Sequence, residues 1–235
     1  MNGNIEVAPP FNKTEILEEY DESSLCEEEF RKVKWGSAAS MINRHTLAAE
    51  QMPLAKGVKW LDIGCGTGGL QEIGCRMYPG VEAIGIDLNR NLIEFARKKN
   101  ILGATFRVGD FWGNGGGQFE VISAIGVVQK LNYPLRLFCV YVSKLLKEDG
   151  CLYLDTKNRN WSGFSCGGLE PEPIHDWFTE SELLTCLKDA GFLVTFVSGF
   201  LPQSNAIVPV NQSHTIIVRA VKTNAKSGSI RNDDH

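Results

Sequence analysis

The stretch Trp60-Leu61-Asp62-Ile63-Gly64-Cys65-Gly66-Thr67-Gly68-Gly69 constrains this chain more than any other. An apolar run, Val58 to Ile63, reads as a buried strand that stops in a turn with glycines at 64, 66 and 68. Glycine lets the backbone turn sharply and lets a ligand come close to the main chain. The helix expected next, Leu70 to Met77, presents free N–H groups at its start. Strand, glycine turn and helix in succession point to an α/β fold with a ligand at the turn.

The rest of the chain fits that reading. Apolar runs recur at 58–63, 81–86, 105–108, 119–125 and 151–155, with helical stretches between them. Asn89 to Lys99 places Leu92, Ile93 and Ala96 on one face. Pro134 to Lys147 places Leu135, Phe138, Val142 and Leu145 at helical spacing, with Pro134 in the first turn. Strands alternating with helices imply right-handed βαβ units and a parallel sheet. The ending departs from this. Thr179-Glu180-Ser181-Glu182 is a capping-box sequence opening a helix that stops at Gly191. Two β-rich runs follow, Phe192 to Phe200 and His214 to Val221. A loop of about 13 residues without helical pattern separates them, too little for a parallel crossover, so this pair is expected to be antiparallel.

Upstream of the turn, residues 14–33 read as one acidic surface helix and 38–51 as a second. Residues 1–13 and 224–235 are polar and expected to be loose. The expected organisation is a helical cap or lid over 1–56, a core over 57–223 and a disordered tail over 224–235. With 235 residues, 43% hydrophobic and 22% charged, the chain can bury a sizeable core. A net charge of −4 argues against nucleic acid as the partner. No run is long and apolar enough for a membrane span, and no signal-peptide core opens the chain, so a cytoplasmic location and no membrane partner are expected. The seven cysteines lack any CxxC spacing and several fall in apolar segments. They read as reduced thiols, and no metal site is expected.

The glycine turn alone leaves two readings open. Gly64, Gly66 and Gly69 also satisfy the dinucleotide fingerprint, and Asp87 closes the second apolar run about 20 residues on, as a nicotinamide-dependent oxidoreductase requires. Three features favour another ligand. Asp62 lies inside the strand just before the turn, where its carboxylate repels a pyrophosphate but not a cationic ligand. Gly109-Asp110-Phe111 puts a further acid and an aromatic at the carboxyl edge of the sheet, where ligands of such sheets bind. The antiparallel ending is foreign to a plain dinucleotide fold.

Leu61-Asp62-Ile63-Gly64-Cys65-Gly66-Thr67-Gly68 resembles the first motif of class I S-adenosylmethionine-dependent methyltransferases of the small-molecule type. Gly85-Ile86-Asp87-Leu88 resembles their second and Gly109-Asp110-Phe111 their third, and the resemblance covers roughly residues 57–222. It implies a Rossmann-like, mostly parallel seven-stranded sheet with an antiparallel last strand, helices on both faces and an N-terminal helical cap. It also implies S-adenosyl-L-methionine as cofactor and a small-molecule substrate methylated on O, N or C. Gly64, Cys65, Gly66 and Gly68 would then pass under the methionine and ribose part, with Asp62 ordering the turn. Asp87 would accept both ribose hydroxyls, Leu88 would pack beside the adenine, Asp110 would accept from its amino group and Phe111 would lie on the ring. Ile125 would border the cofactor at the end of the fourth run. Trp35 and Arg44 would reach the methionine carboxylate from the N-terminal helices.

On the substrate side, the fourth run ends in Gln129-Lys130, where many small-molecule members have a histidine-rich ending. Gln129 is a candidate substrate hydrogen-bonder. Asp155, Lys157 and Asn158 end the fifth run and are candidate substrate contacts. Residues 161–178, with Trp161, Phe164, Trp177 and Phe178, read as a binding loop or lid. His175 within it is the candidate general base, and His45 and His214 are weaker candidates. The alternatives are a nicotinamide-dependent Rossmann oxidoreductase and a non-catalytic methyltransferase-like partner protein.

Overall fold

The computed structural model describes residues 14–112, 117–131, 133–166 and 175–223. The expected loose segments 1–13 and 224–235, and the middle of the aromatic loop, 167–174, lie outside the described residues.

Three N-terminal helices, α1 (Thr14–Ser24), α2 (Glu29–Lys32) and α3 (Ala38–Gln51), precede the sheet. Then come β1 (Lys59–Ile63), α4 (Gly69–Met77), β2 (Glu82–Asp87), α5 (Arg90–Lys98), β3 (Ala104–Val108) and β4 (Phe119–Ala124). The second half runs α6 (Leu135–Leu145), β5 (Leu146–Lys157), α7 (Ser162–Cys166), α8 (Glu180–Asp189), β6 (Phe192–Leu201), β7 (Ala206–Val208) and β8 (Thr215–Lys222). The strands form one sheet in the order β3-β2-β1-β4-β5-β8-β6-β7. Strands β1 to β5 pair in parallel, whereas β8 is antiparallel to both β5 and β6. The antiparallel ending expected from the short loop is therefore present. The sheet has eight strands rather than seven, because the chain after β6 turns at Asn205 and returns as β7, pairing Leu201 with Ala206 and Gly199 with Val208.

Side-chain alternation divides the strands between two faces. On one face Trp60, Val121, Cys151 and Tyr153 pack with Ala48 of α3, Met52 just after it and Leu70 of α4. On the other, Leu61, Ile122, Leu152 and Val218 pack with Phe138 and Val142 of α6 and Leu183 of α8. Burial on both faces is why these strands read as continuous apolar runs. Helix α3 thus shares the core with the strands, although it lies within the segment expected to be a cap. The acidic stretch 14–33 forms two helices instead of one. Ser24 Oγ bonds back to Asp21 O at 2.6 Å, and Lys32 Nζ takes the carbonyls of Ser24 and Cys26, drawing the backbone out of the helical ladder. Pro134 is the N-cap of α6 rather than part of its first turn. The capping box at Thr179 and Glu182 forms as expected.

Phe138 is fully buried against α8 and the sheet. Phe138→Ala is expected to cost about 3–5 kcal/mol in urea denaturation, from lost transfer energy plus the cavity left behind. A loss below about 1 kcal/mol would mean that α6 does not seal this face.

Candidate active site

The glycine turn sits where β1 meets β4, the point at which strand order reverses. Gly64 N and Cys65 N both donate to Ile86 O, at 2.7 and 3.1 Å, stitching the turn to β2. Gly64 and Gly66 have φ of 69° and 54°, in the left-handed region that side chains rarely adopt. Space is short as well: a Cβ on Gly64 would lie 2.2 Å from Val127 Cγ2, and one on Gly66 2.8 Å from Val33 Cγ1. Bare backbone therefore faces a cavity of about 600 Å³ above the carboxyl edge of the sheet.

Carboxylates from three neighbouring strands open into this cavity. Asp62 is 2% exposed, and its Oδ2 accepts from Gln71 Nε2 of α4 at 2.8 Å. Its Oδ1 accepts from Ser123 Oγ of β4, which itself accepts from Trp60 Nε1 at 2.8 Å. Burial raises the Asp62 carboxyl to about 7 against the pull of these bonds, and the charges of Asp87 and Asp155 push it further up. Asp87 ends β2 and accepts Gly66 N–H and Asn89 N–H, each at 2.9 Å. Asp110 follows β3 and accepts Trp112 N–H at 3.0 Å. Burial raises both of these carboxyls too, with the backbone donors working the other way. Leu88, Phe111 and Ile125 complete this half of the cavity. Phe111 is braced by Phe138, Tyr133 and Tyr141, with ring centroids 5.7–6.1 Å apart. Cys65 also lines it, but burial pushes its thiol well above the ordinary range, so it is not a thiolate near neutral pH.

The N-terminal helices close over the turn. Thr67 Oγ1 donates to Glu29 at 2.7 Å, Asn89 Nδ2 to Asp21 at 2.7 Å and Asn91 Nδ2 to Ser24 at 3.0 Å. Lys130 Nζ reaches the Tyr20 hydroxyl and lies 4.4 Å from its ring centroid. Trp35 and Arg44 line the cavity, and the Arg44 guanidinium lies 4.5 Å over the Trp35 ring. Arg44 Nε pairs with Asp155, which is fully buried and whose Oδ1 accepts Gly126 N–H at 2.6 Å. His45, the next residue, packs edge-on to Trp35 with centroids 5.3 Å apart. Burial first, then the charges of Arg44 and Lys99, hold its imidazole down at about 3, so it is neutral.

Among the substrate-side candidates, Gln129, Lys157, His175 and His214 all line the same cavity. Gln129 is 4% exposed, and its carbonyl accepts Asp176 N–H at 2.8 Å, tethering the loop that carries His175. Two expectations are corrected. Asn158 is fully buried and donates to Val210 O and Ser213 O, both at 2.8 Å, so it fixes the sheet end and does not face the cavity. Asp155 contacts Arg44 and Gly126 instead of the cavity. The aromatic loop also differs: Trp161, Phe164 and Trp177 pack on one another with centroids 5.0–5.2 Å apart, and none of them lines the cavity. Gly68 lies outside the cavity wall as the N-cap of α4, where an added Cβ would meet Phe106 at 2.8 Å. Sequence reasoning missed Tyr20, Lys130 and Tyr133, which also line the cavity. Nothing in the pattern around Tyr20 separates it from a surface helix. Among the described residues no cluster of His, Cys, Asp or Glu could hold a metal ion, and no helix is long and apolar enough to cross a membrane.

The raised Asp62 carboxyl predicts a pH signature. Its ordinary value is near 3.8 and its folded value about 7, so between these the folded chain holds a proton that the unfolded chain has released. The resulting stability is present below about pH 4 and is lost as pH rises through about 7. The ligand-free protein should therefore lose more stability between these pH values than Asp62→Asn does. Parallel stability curves in denaturant titrations would contradict the assignment.

A model for the methyltransferase domain matches residues 31–196, most of the described chain. A ubiquinone biosynthesis O-methyltransferase of Pelagibacter ubique (strain HTCC1062) is 33% identical over 150 residues, covering 59% of this chain and 61% of that protein. This chain thus matches a little under two thirds of that relative's length. The cyclopropane synthase MmaA2 from Mycobacterium tuberculosis superposes with a TM-score of 0.70 at 16% identity, over 94% of this chain and all of that one. Magnesium protoporphyrin IX methyltransferase from Synechocystis PCC 6803, solved with bound SAH, superposes with a TM-score of 0.63 at 17% identity, over 90% of this chain and 100% of that one. The domain match spans the glycine turn and the Asp87 and Asp110 edges, which sets the nicotinamide alternative aside. The chain belongs to the class I S-adenosylmethionine-dependent methyltransferases.

Proposed function

We propose that this protein transfers a methyl group from S-adenosyl-L-methionine to an O, N or C atom of a small molecule. One observation carries the reading: Asp62, Asp87 and Asp110 meet a side-chain-free glycine turn in a single cavity. Three carboxylates gathered at the glycine-turn end of the cavity favour a ligand that brings positive charge and several donors. The cofactor fits this donor set, since it is cationic at sulfur and at its amine and offers hydroxyl and amino donors.

The roles follow from the bonds already made. A carboxylate has about four lone-pair sites, and Asp87 uses two on Gly66 and Asn89, which leaves acceptors for the two ribose hydroxyls. Asp110, with one oxygen on Trp112 N–H, offers an acceptor to the adenine amino group, while Leu88 and Phe111 provide the apolar wall. Gly64, Cys65 and Gly66 pass beneath the ligand, Gly68 starts the helix behind them, and Ile125 closes the cavity at the end of β4. Asp62 holds the turn and faces the methionine amine. Trp35 and Arg44 cover the site from the N-terminal side.

When bound, S-adenosylmethionine supplies an electrophilic methyl on a sulfonium. The protein holds the acceptor atom in line and receives its proton. His175 is the proposed base, placed beside Gln129 by the Asp176 N–H bond to the Gln129 carbonyl. Gln129 and Lys157 orient the acceptor. A small molecule suits a 600 Å³ cavity roofed by the N-terminal helices. The ubiquinone-pathway relative supports an O atom as the acceptor.

Two measurements test the reading. Asp87→Ala should weaken cofactor binding by about 1.5–3 kcal/mol in calorimetry, because two hydrogen bonds to an ionised acceptor are lost. Unchanged affinity in a folded variant would remove the ribose assignment. Incubation with methyl-labelled cofactor should label a pool of cell metabolites rather than a pool of RNA and protein. Label mainly in the macromolecules would reject the small-molecule substrate. Labelling of neither pool would favour the non-catalytic partner reading.

A further inference from the structure

His45 lies on α3, is 8% exposed and lines the cavity. Its Nδ1 is enclosed and has no hydrogen-bond partner. The Nδ1–Cε1 edge of the ring rests on Gly69, the first residue of α4, where an added Cβ would lie 3.1 Å from each of these two atoms. The carboxylate of Glu29 also comes close to Gly69, but it accepts from Thr67 and pairs with Lys99, and Nδ1 stays unpaired. With that edge shut against α4, the opposite edge of Nε2 and Cδ2 is left to face the cavity. Trp35 meets the ring edge-on at 5.3 Å and fixes its plane.

Burial first, then the charges of Arg44 and Lys99, hold this imidazole down at about 3, so it stays neutral and is no base near neutral pH. A neutral imidazole has one N–H donor and one lone pair. The start of a helix carries unpaired backbone N–H groups and a partial positive charge, which favours the lone pair on the nitrogen that faces it. The proton therefore belongs on Nε2, where it is a donor presented to the cavity.

The three carboxylates of the site are acceptors, and they serve the hydroxyl, amino and amine donors of the cofactor. They cannot serve its one anionic group, the methionine carboxylate, which needs donors of its own. The corner between α3 and the start of α4 lies beside the turn that follows Asp62, the acid facing the methionine amine. The carboxylate shares a carbon with that amine, so it falls within reach of the same corner.

We propose that His45 is a cofactor-binding residue whose Nε2–H donates to the methionine carboxylate of S-adenosylmethionine. Gly69 and Trp35 act as positioning residues for the ring. The inference rests on the methyltransferase reading above and adds to it a residue that its sequence motifs do not contain.

The test compares two ligands by calorimetry on the full chain, S-adenosylmethionine and its decarboxylated form. The second keeps the sulfonium, the amine and the adenosine and lacks only the carboxylate. His45→Leu keeps most of the bulk and removes the donor. It should weaken S-adenosylmethionine about tenfold or more and leave the decarboxylated ligand within about twofold of its wild-type affinity. His45→Gln, whose amide reaches about as far as Nε2, should recover most of the loss. Equal weakening of both ligands by His45→Leu assigns the ring to packing and overturns the proposal, and so does unchanged affinity for both. Should His45→Leu fail to fold, His45→Gln is compared with His45→Asn, whose shorter amide reaches only as far as Nδ1. The Gln variant should then bind S-adenosylmethionine about fivefold more tightly or better, and equal or reversed affinities overturn the proposal. These outcomes leave the cofactor reading standing, whereas a wild-type chain that binds neither ligand defeats that reading and this inference with it.

Discussion

A carboxylate inside a parallel strand has to be satisfied from the elements packed around it, and Asp62 is satisfied by two of them. Gln71 reaches it from α4 and Ser123 from β4, with Trp60 completing the chain of donors. All four groups face the same side of the sheet. The bonds fix the side-chain register of β1 against β4 and the approach of α4 to both. The position of the glycine turn follows, because the turn is the short segment between β1 and α4. Moving Asp62 off its partners would cost the desolvation of an unpaired carboxylate, a penalty far above that of a surface ion pair. Yet burial still outweighs the bonds enough to raise its carboxyl to about 7. The group that organises the site is therefore held in tension, which suits a ligand that arrives carrying positive charge.

Helix α3 packs in the apolar core, and all three N-terminal helices also reach the carboxyl edge of the sheet through polar contacts. Glu29 to Thr67, Asp21 to Asn89 and Arg44 to Asp155 each join a helix ahead of β1 to a residue at the carboxyl edge of the sheet. Two kinds of contact differ in weight. The pairs on α1 and α2 are partly exposed and individually weak. The Arg44–Asp155 pair is buried, and removing either partner would leave an uncompensated charge. Helix α3 is accordingly bound as firmly as a core helix, while α1 and α2 sit above the cavity on lighter fastenings.

How far the fold and site were legible in the sequence differs by element. The parallel strands were legible because burial on both faces makes them continuous apolar runs. The helices were legible where apolar spacing and caps agreed, as at Thr179 and Glu182. The break between α1 and α2 was not, since it depends on Ser24 and Lys32 competing for backbone groups across several residues. Strand β7 was hidden because three residues on a sheet edge leave no periodicity. In the site, Asp62, Asp87 and Asp110 were legible from their places at strand ends. Asp155 and Asn158 were misread for the same reason: a polar residue at a strand end can face the cavity or pin a neighbouring loop, and position in sequence is identical in the two cases. The aromatics of the 161–178 loop were misread because apolar residues in a loop signal packing without saying against what.

Val127 rests its Cγ2 where a side chain on Gly64 would be. The two positions lie in the turns that follow β1 and β4, yet they share one volume. Change at 64 is conditional on 127: beyond the strain of its φ of 69°, a larger residue at 64 needs a smaller one at 127 before it can be accommodated. Substitution histories of this pair should therefore run in a fixed order, shrinkage in the turn after β4 before any growth in the turn after β1. A sequence library that randomises the turn alone would recover glycine at 64 whatever ligand it is selected to bind.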